Sequence, residues 1–594
     1  MSNAGWEQEG GVGQEDRARQ EGGISQKGGA GKEVSHEGRA SPPLRQGIRA
    51  GLYPPPEPMP RTRWYWLAFG LVTIAIIGFS TYFCIYLSTT HDAFQTNAED
   101  FGIMDQAVWS ILHGFVPRQT ICNSVFDSNC VSYDGVIRFA IHVEPILYLI
   151  SLLYLIWSNP KILFIFQTLV VACGAYPAFW LARLRLRSNF AGVAIGLLYL
   201  LYPGLLQAVR FDFHAVTLTA ALLLLLLYFI YTRQIIWTFV FALLAMACKE
   251  EISLVVAGFG IWSAVFQWRW RSGLGLALLG TAWFGVVVFI VMSHASPTGH
   301  PLLISRYAQL GSPLHFVQQI LLHPLQFLKL YIWEPHHRAY ILLLLYPTCF
   351  IALLAPQILI LALPSLAINL LSSDPQMYSG LFQYSAEIVP VLIFATVEGL
   401  VNTVWLLRVV GQKLAWVNDK VPQKRSFMKI ALKKSWTSRM CAIVYILLLA
   451  AMLSSTLAID STFYGVFPFS QGFQWPQGSE HASEVERLLR MIPIDASVSA
   501  QNKFVPHLSE RAHIYLFPYQ DDQTEYILLD TTGDVYPMTS STYIQETQKI
   551  LQSGHYRILV AKNGYLLLQR ILPIAGSSPL LACTIGKDRG ASFS

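Results

Sequence analysis

Eleven apolar runs divide this chain, and together they dictate a polytopic α-helical membrane protein. They lie near residues 64–87, 162–181, 189–207, 215–231, 235–248, 252–268, 273–292, 340–355, 357–371, 386–407 and 441–458. A bilayer core offers no water to backbone N–H and C=O groups, so such runs cross it as helices that satisfy their own hydrogen bonds. Over 594 residues, 53% are apolar and 13% charged, with a mean hydropathy of +0.42. That is about half the charge of a soluble chain. Midway along the runs, polarity is expected to stop at occasional Ser, Thr and Gln.

Basic residues set the expected orientation. Arg61 and Arg63 precede the first run and place the amino terminus in the cytoplasm. Arg183, Arg185 and Arg187 follow the run at 162–181 and belong on the same side. The apolar piece between, Ile141–Trp157, is therefore expected to lie in the interface or re-enter rather than cross. Residues 408–440 carry nine Lys or Arg against the single acid Asp419, which predicts a cytoplasmic loop. The last run then exits, and the two termini are expected on opposite sides of the cell membrane.

Three regions follow. Residues 1–63 hold no apolar run, and twelve glycines fall in the first 60 positions, which predicts a disordered cytoplasmic tail. The first run is too long for a signal-peptide core. Residues 64–458 form the membrane domain, with long outer loops at 88–160 and 293–339. Residues 459–594 are expected as a small extracytoplasmic α/β domain. Its short β-like runs are Ser497–Ala500, Ile514–Phe517, Tyr526–Asp530 and the pair Tyr556–Ala561 and Tyr565–Arg570, with a helix at Thr542–Ser553 and a hairpin turn at Asn563-Gly564. It carries no G-x-G-x-x-G, P-loop, H-E-x-x-H or G-x-S-x-G, so no chemistry of its own is assigned to it.

The net charge of +6 is no nucleic-acid signal, because the basic residues flank apolar runs. Eight cysteines show no C-x-x-C spacing. Cys122 and Cys130 share one polar loop, where a disulfide and two free thiols are both open.

With this orientation the polar residues at membrane depth gather on the outer side. Glu99, Asp100, Asp105, Arg210, Asp212, His214, Lys249, Glu250, Glu251, Glu334, His336, His337 and Glu387 all fall at outer ends of runs or in outer loops. Singly, each is as readily a helix-end ion pair or a satisfied interfacial histidine. Together they describe a pocket at the lipid boundary, suited to a substrate with an apolar tail and an anionic head.

The run Asp100-Phe-Gly-Ile-Met-Asp-Gln-Ala-Val-Trp-Ser-Ile-Leu-His-Gly is followed by His142-Val-Glu-Pro, Arg210-Phe-Asp-Phe-His, Lys249-Glu-Glu, Gln383-Tyr-Ser-Ala-Glu-Ile-Val-Pro and Pro506-His-Leu-Ser-Glu-Arg. In order and spacing these resemble the bacterial and archaeal membrane family DUF2079, over about residues 64–570. The layout is also similar to the GT-C glycosyltransferases that use polyprenyl-phosphate sugars: one span, an acidic motif in a long outer loop, many spans, an outer tail. That resemblance implies an inverting glycosyltransferase acting at the outer face, with Asp100 as its catalytic acidic residue and Glu99 beside it. Asp100 would serve as base for the acceptor hydroxyl, or share a divalent cation, Mg or Mn, with Glu99. Arg210 and Lys249 would hold the departing phosphate, and His214 or His336 would support either role. Asp105, Asp212, Glu250 and Glu334 complete the expected substrate-binding set. The implied partners are a polyprenyl-phosphate sugar and a lipid, glycan or protein acceptor, with no nucleic acid. A transporter or lipid flippase would instead show an internal repeat and mid-span polar residues, neither of which is found; a non-catalytic scaffold would leave the charges at the membrane edge unexplained.

Overall fold

The computed structural model describes residues 53, 55–125, 130, 132–419, 427–478 and 482–571. Most of the expected disordered tail lies outside the described residues. Among those described, five helices are long and apolar enough to cross a membrane: Arg63–Asp92, Lys161–Leu186, Trp270–Ala295, Val389–Leu407 and Ala442–Tyr464. A sixth candidate, Asn189–Leu200 with Pro203–Arg210, is bent by 45°. Pro203 explains the break, since it has no N–H to continue the ladder.

The expected eleven full spans therefore reduce, by length, to five or six. Ala215–Tyr231, Ile235–Met246, Ile252–Phe266 and Pro356–Leu371 occupy expected runs but are shorter helices of 10–17 residues. The run at 340–355 is no single helix: Pro335–Leu345 stops before Pro347, and two short 3-10 turns follow, with Cys349 and Phe350 at φ 47° and 60°. Ile146–Leu155 is short as well, reaching about 15 Å at 1.5 Å per residue, half a hydrocarbon core. Much of the basic stretch 408–440 is helical, because its Leu, Ala, Lys and Gln are good helix formers: the flanking helices extend into it as Val389–Asp419 and Phe427–Ile459, while 420–426 lie outside the described residues.

Packing follows helical periodicity. On Arg63–Asp92 the buried residues Tyr65, Ala68, Val72, Ile76, Phe79 and Phe83 recur every three or four positions, while Trp64, Trp66, Leu71 and Ile74 on the other faces are exposed. An apolar exposed face is what lipid contact requires. Ile252–Phe266 and Trp270–Val286 approach until backbones touch: a Cβ on Gly260 would lie 2.4 Å from the Ala277 nitrogen, and one on Gly280 would lie 2.4 Å from the Ser253 oxygen. Small residues permit this spacing in membrane helices.

Among the described residues, two sheets complete the fold. β1 (Arg118–Gln119) and β2 (Val136–Ile137) make a small antiparallel pair. The tail holds β3 (Val498–Ala500), β4 (Ile514–Leu516), β5 (Tyr526–Asp530), β6 (Tyr556–Lys562) and β7 (Tyr565–Arg570), in the order β4-β3-β5-β7-β6. β3 is parallel to both β4 and β5, and the rest is antiparallel. The β6–β7 hairpin turns at Asn563 and Gly564, with φ 50° and 84°, as a two-residue turn of this hand requires. One face of the sheet packs on helix Ser540–Gln552 through Ile527, Leu529, Tyr543 and Ile550. The other shares its core with the segment after the first span: Ala98, Ile103 and Ile121 pack among Val498, Phe504, Leu516 and Leu528. The tail is built onto the acidic motif rather than tethered near it.

Candidate functional site

The acidic motif folds as a π-helical turn, Ala98–Gly102, running directly into helix Ile103–Gly114. The Asn97 side chain starts the turn by accepting from the Glu99 N–H at 2.9 Å. Behind it, Asp212 accepts from the Asn97 N–H at 2.8 Å, and from the tail Asn502 accepts from the Ala98 N–H at 2.9 Å. The Asn97 cap and two chain-distant groups thus hold the wider turn, a geometry common at functional sites. It presents Glu99 and Asp100 to a cavity of about 530 Å³.

Asp100 faces His214 across that wall, Oδ1 to Nε2 at 3.2 Å. The other ring nitrogen, Nδ1, lies 3.1 Å from the Asp212 carbonyl, to which it can only donate. Nε2 is then left facing the Asp100 carboxylate, and the two groups are placed to take up one proton between them. The His214 backbone is fixed in turn by the buried Gln167, which accepts from its N–H at 3.0 Å. Glu99 is held by Tyr536 of the tail, whose hydroxyl donates at 2.5 Å, and by Asn123 at 2.9 Å.

Positive charge reaches the same cavity from Arg138 and Arg306. Arg138 is buried, bonded through Nε to Glu144 at 2.8 Å and through Nη1 to Gln119 at 3.1 Å. Arg306, in the segment Leu302–Leu310, pairs with Asp374 at 3.2 Å and hydrogen-bonds the Tyr384 side chain, both of them cavity residues. His142 lines the wall too, its Nδ1 2.8 Å from Glu250; burial, then the nearby Lys249 and Arg138 charges, keep it neutral.

Of the residues singled out in the sequence, the structure brings Glu99, Asp100 and His214 together at the cavity. Asp212 and Glu250 stand one layer back, supporting Asn97 and His142. Burial, then the Asp100 charge, raise the Asp212 pKa. The others take different places. Arg210 donates to the Tyr464 carbonyl at 2.7 Å and to the Tyr86 hydroxyl, joining the first and last spans. Lys249 is buried in an ion pair with Glu251. Burial alone would lower its pKa, but the Glu251, Glu387 and Glu250 carboxylates outweigh that and raise it. Glu334 caps its own helix by accepting from the His337 N–H at 2.9 Å, and its partner His336 is 82% exposed.

Asp105 also lies away from the cavity, at the joint with the tail. It is fully buried and accepts from Ser509 of the tail at 2.6 Å and from Tyr154. Burial, then the Glu510 charge, push its carboxyl up to about 7 from an ordinary 3.8. A raised pKa means that the folded state binds the proton more tightly than the unfolded state. The joint therefore contributes fully below about pH 4 and loses strength as the pH rises through about 7. The melting temperature of the purified protein is expected to fall between pH 5.5 and 8, and Asp105→Asn is expected to flatten that slope. An equal slope in the variant would show that the titration lies elsewhere.

The expected divalent cation finds little support in the donor set. Glu99 and Asp100 are each engaged by their own donors, and among the described residues no three His, Cys, Asp or Glu side chains come together to hold a metal.

Sequence reasoning passed over Arg306, Tyr519 and Tyr536, all of which line the cavity. Arg306 had a signal, as the first Lys or Arg of the long segment 293–339. The two tyrosines had none, since nothing local marks them. The loop pair left open above is a disulfide, Cys122–Cys130, and both cysteines stand in the cavity wall.

The model of a family described as "Predicted membrane protein (DUF2079)" matches residues 90–567. Among solved structures the chain is similar to two crystal structures of ArnT from Cupriavidus metallidurans. With the one bound to undecaprenyl phosphate it shares 11% identity at a TM-score of 0.45, over 85% of this chain and 99% of that one. With the apo form it shares 12% identity at 0.44, over 85% and 97%. No curated protein matches it.

Proposed function

The chain belongs to the DUF2079 family of predicted membrane proteins, and from that premise we propose that it is a GT-C-like glycosyltransferase, moving a sugar from a polyprenyl phosphate to an acceptor hydroxyl. The observation that carries this reading is one cavity holding the Asp100–His214 contact together with the cation Arg306. Transfer from a lipid phosphate needs both: a base for the proton that leaves the acceptor, and positive charge for the phosphate that departs.

In the step proposed, Asp100 takes the acceptor O–H proton as that oxygen bonds to the anomeric carbon. The bond from that carbon to the phosphate oxygen breaks on the opposite face, its electron pair leaves with the phosphate, and the anomeric configuration inverts. Arg306 neutralises the leaving phosphate and Arg138 adds to the field. The lipid tail would lie along helices Pro313–Leu322 and Pro324–Tyr331, in the same segment as Arg306, which expose Leu314, Leu321, Leu322 and Leu325 at 69–81%. A disulfide in the cavity wall suits an oxidising compartment. The basic stretch lies at the far end of the helix Val389–Asp419, whose start adjoins Glu387 and the cavity residue Tyr384. Those two facts support a cavity and tail outside the cytoplasmic membrane, with the basic stretch inside.

The test is transfer of radiolabelled sugar from a panel of polyprenyl-phosphate donors by membranes containing this chain. Product that requires the chain is expected. No product from any donor, with saturable solute uptake by the same membranes, would replace this reading with transport.

A further inference from the structure

The tail reaches the cavity through the loops that leave its parallel strands. In α/β sheets, ligands bind in the crevice beyond the carboxyl ends of such strands. Here Asn502 follows β3, Tyr519 follows β4 and Tyr536 follows β5. Asn502 holds the Ala98 N–H, and the two tyrosines line the cavity. Three neighbouring strand ends thus converge on the cavity, two of them bonded directly to Ala98 and Glu99.

The tail side of the cavity differs chemically from the rest. Arg138, Arg306, His142 and His214 all come from the membrane domain, whereas the described lining residues of the tail are both tyrosines. Their hydroxyls are engaged: Tyr519 donates to the Ser132 carbonyl at 3.1 Å, and Tyr536 to Glu99 at 2.5 Å. Each ring is therefore held at its tip, and Tyr536 keeps 37% of its surface exposed. Such rings are a flat, neutral, largely apolar surface beside polar groups. That surface matches the C–H face of a pyranose and offers nothing to an ionic acceptor.

We propose that the tail forms the acceptor subsite and that the acceptor is a carbohydrate, its ring against Tyr519 and Tyr536 and its attacking hydroxyl toward Asp100. This rests on the glycosyl-transfer reading and names the substrate that receives the sugar. The acceptor proton passes to Asp100, and the new glycosidic bond replaces the bond to the donor phosphate.

The experiment is saturation-transfer-difference NMR on the full chain in lipid nanodiscs. The probes are methyl β-glucoside, methyl α-mannoside and methyl N-acetyl-β-glucosaminide, with polyprenyl-phosphate binding measured in parallel. Saturation of at least one glycoside is expected, falling at least fivefold in Tyr519→Ala and surviving in Tyr519→Phe, while the lipid phosphate binds all three proteins alike. If no glycoside is saturated although the lipid phosphate binds, or if Tyr519→Ala leaves saturation unchanged, the subsite proposal is overturned and the transfer reading stands. If glycosides bind and the lipid phosphate does not, the transfer reading fails and the sugar site remains.

Discussion

Asp100→Asn is expected to reduce sugar transfer by about 10²–10⁴-fold, the range that a positioned general base supplies, while binding of the polyprenyl phosphate is retained. The substitution keeps the size of the side chain, and the π-helical turn that carries it is held by Asn97, Asp212 and Asn502 rather than by Asp100. What it removes is the carboxylate that faces His214 Nε2 at 3.2 Å and would take the acceptor proton. The loss should therefore fall on kcat, with little change in KM for the donor. Glu99→Gln is the informative companion. Glu99 is anchored by Tyr536 and Asn123, so its loss should disturb placement of the motif and lower the rate less. Full kcat in a folded Asp100→Asn protein would remove the catalytic assignment, and the deeper loss in Glu99→Gln would move it to the neighbouring carboxylate.

What could be read from the sequence was whatever depends on neighbours along the chain. Apolar runs became helices, Asn563-Gly564 made its turn, and the acidic motif with His214 reached one cavity. The errors share a cause: the fate of a charge is decided by partners far away in sequence. Arg210 and Lys249 looked suited to a phosphate, but the Tyr464 carbonyl and the Glu251 carboxylate already occupy them. Arg306, which lines the cavity together with Arg138, has no motif around it in the sequence. Tyr536 is more than 400 residues from the glutamate it holds, a contact that only the docking of the tail creates. Span lengths failed for a local reason that hydropathy does not register. Pro203 and Pro347 interrupt the helical ladder inside runs that remain apolar throughout.

One mid-span carboxylate was also passed over. Glu398 sits inside the candidate span Val389–Leu407 and is 2% exposed, contradicting the expectation that polarity there stops at Ser, Thr and Gln. It is paired in two-pronged fashion with Arg185, Nη2 to Oε2 at 2.5 Å and Nε to Oε1. The guanidinium lies over the Tyr53 and Tyr231 rings at 5.2 and 5.5 Å from their centroids. Arg185 is therefore not a freely solvated member of the basic cluster that follows Lys161–Leu186; it ties that helix to Val389–Asp419.

Glu398→Ala is expected to destabilise the membrane domain by about 3–5 kcal/mol, because it strands a charge only 18% exposed in a poor solvent for ions. Replacing both partners, with Arg185→Leu and Glu398→Leu, should recover most of that loss, since it is the uncompensated charge that costs and not the absence of the pair. Thermal or denaturant unfolding in one detergent, with the two single variants and the double variant, forms the cycle that separates these terms. A single variant within about 1 kcal/mol of the parent would mean that water reaches the pair. Arg185 would then be an ordinary topological cation, and the tie between the two helices would rest on apolar packing alone.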